Sequence, residues 1–266
     1  MITTATAFER TRAEGRAALV GYLPAGYPDV PGAIEALQVM VDCGCDVIEI
    51  GLPYSDPVMD GPTIQTAVQQ ALEAGVRTTD VLRTVEAVAA TGVPTVVMTS
   101  WNPVERYGVE RFAADLSAAG GSGLITPDVT PDVVPQWIAA ADERDLDKVF
   151  LVAPSSTDQR LAMTTAACRG FVYATAVMGV TGARATTSEL APPLVARAKA
   201  TTDLPIGVGL GISDADQAAE VAAYADAVIV GSAFVRTLLD AGPDRAAGLR
   251  LLGTLTEDLA EGVRRG

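Results

Sequence analysis

Short apolar runs alternate with helix-patterned stretches along this 266-residue chain, and that alternation leaves few folds open. The runs read as strands at residues 17–22, 47–50, 95–98, 123–126, 148–153, 170–175, 205–209 and 226–230. Apolar side chains on successive residues mark strands covered on both faces, as in a parallel sheet under helices. Between the first two strands, Asp29 reads as a helix cap. Pro31 falls in the first turn, Ile34, Leu37 and Val41 share a face, and Gly44 ends the helix. Helical patterning returns over 63–74, 79–91, 109–119, 132–141, 158–168 and 189–200, then after Ser213 as a cap and again to the C-terminus. Trp101–Asn102–Pro103 reads as a loop. No compositional break suggests a linker, and the length suits a barrel of about 250 residues. The expectation is an α/β fold: one (β/α)8 TIM-barrel domain over residues 1–266, with extra N-terminal and loop helices.

One residue breaks the pattern. Glu49 places a carboxyl inside the second apolar run, and no Lys or Arg lies between Ala17 and Gln70 to pair with it locally. An unpaired buried carboxylate costs several kcal/mol or is driven neutral. A faint internal repeat sharpens the anomaly, because Asp46–Gly51 matches Asp226–Gly231 and sets Glu49 where the later strand has Ile229. Downstream, Pro53, Asp56, Pro57, Asp60, Gly61 and Pro62 make a stiff loop with two more carboxylates. A carboxyl near a strand end and another on the following loop suit acid–base chemistry. An ordinary ion pair for Glu49, and turn capping by the aspartates, are the competing structural roles.

Absences narrow the chemistry further. The chain has no histidine, which removes Ser–His and Cys–His nucleophile pairs, His proton shuttles and His-based metal sites. The three cysteines, Cys43, Cys45 and Cys168, are too few for a disulfide framework or a zinc site, so no metal is expected. Of the two lysines, Lys148 opens the fifth strand and Lys199 belongs to a helix, so neither suits a Schiff base. A net charge of −14 without a long basic run argues against nucleic acid. No apolar run approaches the roughly 18 residues of a membrane span, and MITTATAFERTRAEGR has no apolar signal core. The expected location is the cytoplasm.

Glycines mark the other end of the site. Gly179–Gly182, Gly209–Ser213 and Gly231–Ser232 follow strands six, seven and eight. Barrels often hold phosphate where the loops after strands seven and eight converge, on backbone N–H groups and a helix N-terminus. The residues therefore suggest a phosphorylated small molecule handled by carboxylate acid–base catalysis. Any carbon–carbon cleavage would need its electron sink inside the substrate.

The run E-I-G-L-P-Y-S-D-P-V-M-D-G-P-T-I-Q, residues 49–65, resembles the hallmark segment of the tryptophan synthase alpha subunits. P-A-G-Y-P, W-N-P, P-D-V-T, L-V-A-P, G-V-T-G-A-R, G-L-G-I-S and V-G-S-A follow the same family pattern in order over essentially the whole chain. The resemblance implies retro-aldol cleavage of indole-3-glycerol phosphate to indole and D-glyceraldehyde 3-phosphate, with the C3-protonated indole ring as electron sink. It implies Glu49 as general acid/base and Asp60 as the carboxylate on the indole N–H. Gly182, Gly211, Gly231 and Ser232 match the phosphate cradle. Tyr22, Met98, Ile125, Tyr173, Thr181 and Leu210 match the indole and glycerol pocket, and Val177–Ser188 resembles a lid. The chain itself is implied to carry no cofactor. Its implied partner is a pyridoxal-phosphate beta subunit in an alpha2-beta2 heterotetramer, docked near Pro53, Asp56, Pro57, Asn102 and Pro131. Ser100, Met59 and Trp101 depart from the residues many relatives carry. A stand-alone indole-3-glycerol-phosphate lyase, a phosphate-binding barrel isomerase and a non-catalytic regulatory subunit are the alternatives.

Overall fold

A computed structural model describes residues 2–56, 59–175, 189–209 and 211–266. Its strands are β1 (Ala18–Pro24), β2 (Val47–Gly51), β3 (Thr95–Met98), β4 (Gly123–Thr126), β5 (Asp147–Val152), β6 (Val172–Thr175), β7 (Ile206–Gly209) and β8 (Ala227–Val230). They pair in sequence order, all parallel, and β1 meets β8 to close the barrel. The helices among the described residues are α1 (Thr4–Ala13), α2 (Val30–Asp42), α3 (Pro62–Glu73), α4 (Thr78–Ala89), α5 (Trp101–Tyr107), α6 (Val109–Ala118), α7 (Pro135–Asp142), α8 (Asp158–Ala167), α9 (Ala191–Lys199), α10 (Ala215–Ala222), α11 (Ser232–Ala241) and α12 (Arg245–Arg265). This is the (β/α)8 barrel expected from the alternation, with α1 ahead of it and extra helices after β2, β3 and β8.

Alternate strand residues serve two cores. Val20, Val47, Val96, Ile125, Val149 and Ile229 fill the barrel axis. Their neighbours Leu19, Ile48, Ile50, Leu124 and Phe150 pack outward against Leu37, Phe112, Trp137 and Phe234 of the helices. Burial on both faces is why the strands carry no polar alternation. Glu49 lies in register with Tyr22 and Val96.

The N-terminal end of the barrel is stapled shut. The backbone N–H and hydroxyl of Thr4 both donate to Asp147 at 2.9 and 2.6 Å, and Phe8 packs on Phe171 with ring centroids 5.5 Å apart. Asp46 accepts from Arg16 at 2.7 and 2.8 Å, from Arg10 at 2.6 Å and from the Leu19 N–H at 2.9 Å. Burial pushes the Asp46 carboxyl up, but these donors outweigh it and hold it below the usual carboxylate range. Lys148 pairs with Asp142, and Lys199 with Asp226 at 3.2 Å, so both lysines are structural partners.

Local chemistry corrects several boundaries. Trp101–Asn102–Pro103 is the first turn of α5, not a loop. Both Asp128 carboxylate oxygens lie 3.0 Å from the Trp101 N–H, and Pro103 falls where a helix has no internal use for an N–H. Asp214, not Ser213, caps α10, accepting from the Gln217 N–H at 2.9 Å. The helix expected over 132–141 splits into a 3-10 turn, Pro131–Val133, and α7, because Pro135 drives Val134 out of the helical region. Asp29 caps α2 as expected, accepting from the Gly32 N–H at 2.6 Å.

Candidate active site

The C-terminal ends of the strands surround an unusual carboxyl. Glu49 is the third of the five residues of β2, points into the barrel and is 1% exposed. Its Oε2 is buried and has no hydrogen-bond partner among the described residues. Burial, then the nearby Asp60 charge, pushes its pKa up to about 8. At neutral pH the group is therefore mostly a neutral acid that can give a proton, and once ionised it is a base strong enough to take one back. Asp60 stands across from it on the loop before α3, and partial burial raises its carboxyl as well.

Two tyrosines flank Glu49. Tyr22 on β1 and Tyr173 on β6 are 7% and 9% exposed. Burial raises both phenols far above their usual range, reinforced at Tyr22 by Asp60 and Glu49 and at Tyr173 by Glu49. They remain donors at any working pH. Their seats are made by glycines: a β-carbon on Gly51 would strike the Tyr22 ring, and one on Gly209 would strike the Tyr173 hydroxyl. Sequence reading took Gly51 only as a strand boundary. The available signal was a glycine two residues beyond the register partner of an inward-facing tyrosine on the neighbouring strand.

Met98, half-buried at the end of β3, and Ile125, fully buried on β4, are both on the pocket side with Tyr22 and Tyr173. Opposite them, β7 ends in Gly209 and β8 is followed by Gly231. Gly211 adopts φ +73, a conformation costly for other residues. Gly231 precedes α11, a ten-residue helix that begins at the buried Ser232. The first N–H groups of that helix have no acceptor within it, and its dipole favours an anion. Pro57, Leu210 and the whole Val177–Ser188 stretch, with Thr181 and Gly182 in it, lie outside the described residues.

The residues expected on the docking side follow β2, β3 and β4, so they share one sector of the same rim. Asp56 and Asn102 are exposed, whereas Pro53 and Pro131 are buried and shape their loops rather than presenting a surface. Sequence reading missed Leu52, Tyr54 and Thr99, which join Tyr22, Asp60 and Met98 around a small cavity. Among the described residues no cluster of three or more Cys, Asp or Glu could hold a metal ion.

Fold and site together place the chain among (β/α)8-barrel enzymes, with a buried carboxyl and a helix N-terminus on the same rim. A family profile for the tryptophan synthase alpha chain matches residues 8–264. The tryptophan synthase alpha chain of Acidothermus cellulolyticus is 62% identical over 265 residues, covering 100% of this chain and 98% of that one. That of Salinispora arenicola is 62% identical over 258 residues, covering 97% and 96%. A Mycobacterium tuberculosis tryptophan synthase structure superposes with a TM-score of 0.93 at 57% identity, over 99% of this chain and 98% of that one. Tryptophan synthase subunit alpha from Legionella pneumophila gives 0.87 at 30% identity, over 99% and 98%. This chain belongs to the tryptophan synthase alpha chain family.

Proposed function

We propose that this chain works as a carbon–carbon lyase on indole-3-glycerol phosphate with Glu49 as its proton carrier and Asp60 as its ring-binding carboxylate. The observation that carries the reading is the buried Glu49 carboxyl at the open end of the barrel, its Oε2 without a hydrogen-bond partner among the described residues, set against Asp60. Neutral Glu49 gives its proton to ring C3, producing an iminium ring whose N–H is held by ionised Asp60. Carboxylate Glu49 then takes the proton of the hydroxyl beside the breaking bond. As that carbonyl forms, the C3–carbon bond breaks and its electron pair returns to the ring to quench the iminium. Indole leaves with the first proton, and Glu49 is reprotonated by the second. The ring acts as the sink that the absent lysine would otherwise supply.

Gly211, Gly231 and Ser232 offer the phosphate backbone donors and the positive end of α11, with Gly182 assigned the same role by family pattern. Tyr22, Met98, Ile125 and Tyr173 line the ring and glycerol pocket, and Thr181 and Leu210 complete it by the same pattern. The chain needs no cofactor of its own. It works in the cytoplasm as the alpha component of an alpha2-beta2 heterotetramer, passing indole to a beta subunit that carries pyridoxal phosphate. Asp56 and Asn102 supply the exposed part of that contact, with Pro53 and Pro131 holding the loops and Pro57 assigned to it by family pattern alone.

The test is indole release from indole-3-glycerol phosphate, with and without beta subunit. Slow release that rises strongly with the partner is the expected result. Fast release indifferent to the partner would mean a free-standing lyase. No release in either case would overturn the chemistry.

A further inference from the structure

The closed end of the barrel, opposite the candidate active site, carries a separate cavity of about 280 Å3. Its walls are the C-terminal half of α1, the turn into β1, the end of α9 and the 222–226 turn between α10 and β8, with Gly266 beside them. Phe8, Ala17, Pro205 and Ala225 are buried and give it an apolar lining. At about 30 Å3 for each water-sized group, the space takes a molecule of roughly nine non-hydrogen atoms. Arg12, Arg16 and Lys199 line it too, against one acidic side chain among the described lining residues, Asp226. Two of these cations are already matched: Arg16 pairs with Asp46 and Glu14, and Lys199 with Asp226 at 3.2 Å. Arg12 is exposed and has no ion pair or side-chain hydrogen bond among the described residues. A cation in the last turn of α1 suits the helix dipole, but that interaction leaves every guanidinium donor unused. One unmatched positive charge beside an apolar lining fits a monoanion with an apolar body.

We propose that this cavity is a binding site for a small organic monocarboxylate, its head on Arg12 and its apolar body between α1 and the 222–226 turn. The assignment does not depend on the reaction at the other end of the barrel. A guanidinium grips a carboxylate through two parallel hydrogen bonds, which a single unmatched arginine can supply. A phosphate dianion fits less well, because it needs a second unmatched cation and has no apolar part to set against Phe8 and Pro205. The walls keep their shape without a ligand: Arg10 and Arg16 tie α1 and the turn after it to Asp46, so little binding energy is lost to ordering.

Benzoate matches the size and charge of the space and is the probe. Benzyl alcohol is the uncharged control, and inorganic phosphate is the anion without an apolar body. Backbone amide NMR shifts of the full chain are followed through each titration, with melting temperatures alongside. The expected result for benzoate is saturable binding with a Kd of about 1 mM, mapped to Ala17, Ala222 and Ala225. At about 20 mM it should raise the melting temperature by about 3–6 °C. Arg12→Gln, a change on an exposed side chain, weakens binding about tenfold, and Arg12→Lys weakens it less. Ala223→Leu narrows the space from its exposed edge, leaves every charge in place and weakens binding by a similar factor. Both controls bind about tenfold more weakly than benzoate or not at all. Equal binding by a folded Arg12→Gln, or equal binding of either control, overturns the proposal. So do shifts that fail to saturate by about 20 mM, shifts centred on Gly231 and Ser232 at the open end, or none at the cavity residues.

Discussion

Glu49 shows what a buried, unpaired carboxyl costs at the scale of one residue. Its folded pKa of about 8 lies well above the roughly 4.3 of an unfolded chain. A raised value of this kind leaves stability intact below the unfolded pKa and erodes it as pH rises through the folded one. Glu49→Gln removes the penalty, so its melting temperature should exceed the parent's by several degrees at pH 7.5, the gap closing below about pH 4.5. The same variant should lose indole release by about a hundredfold or more. A variant both less active and less stable would argue against a buried neutral carboxyl. Because Glu49 must start protonated, parent activity should fall as pH rises through about 8.

At the scale of elements, α1 and α5 separate stability from docking. Asp46 and Arg16 have side chains 3% and 8% exposed, and with Arg10 they tie α1 to β2. Arg16→Ala leaves a buried carboxylate short of its main partner, costing about 2–4 kcal/mol and roughly 6–12 °C of melting temperature. Indole release at 25 °C should persist. The Asp46 contribution has the opposite sign to that of Glu49: its pKa is depressed, so it stabilises above about pH 4 and is lost on acidification. Asp128 caps α5, on the rim proposed for the partner. Asp128→Ala should leave basal indole release unchanged but weaken stimulation by beta subunit roughly fivefold, the worth of a helix cap of about 1 kcal/mol. The eight strands were legible from apolar runs punctuated by Gly and Pro. Helix α5 was not, because the carboxylate that caps it comes 27 residues later in the chain.

For the whole molecule, the absence of histidine leaves Glu49 as a carboxyl titrating near neutral pH. A side-chain carboxyl NMR titration from pH 6 to 9 should show one transition near 8, missing in Glu49→Gln. Any carboxyl transition there that survives the substitution would contradict this. Glu49, Asp60 and the glycines after strands seven and eight were legible because each breaks a local pattern. The cavity at Thr99 was not, since it exists only where the ends of β1, β2 and β3 converge. The two ends of the barrel also differ in kind: Asp46 at the stapled end accepts four hydrogen bonds and Asp147 two, whereas Glu49 Oε2 at the open end has no partner among the described residues.

Gly51 and Gly209 have a further consequence. Neither offers a group to any reaction, yet each leaves the room a site tyrosine occupies. In a random substitution screen scored by growth without tryptophan, both would rank beside Glu49 and Asp60. Such a map therefore records where side chains must be missing as faithfully as where they must be present, and only the atomic arrangement tells the two apart.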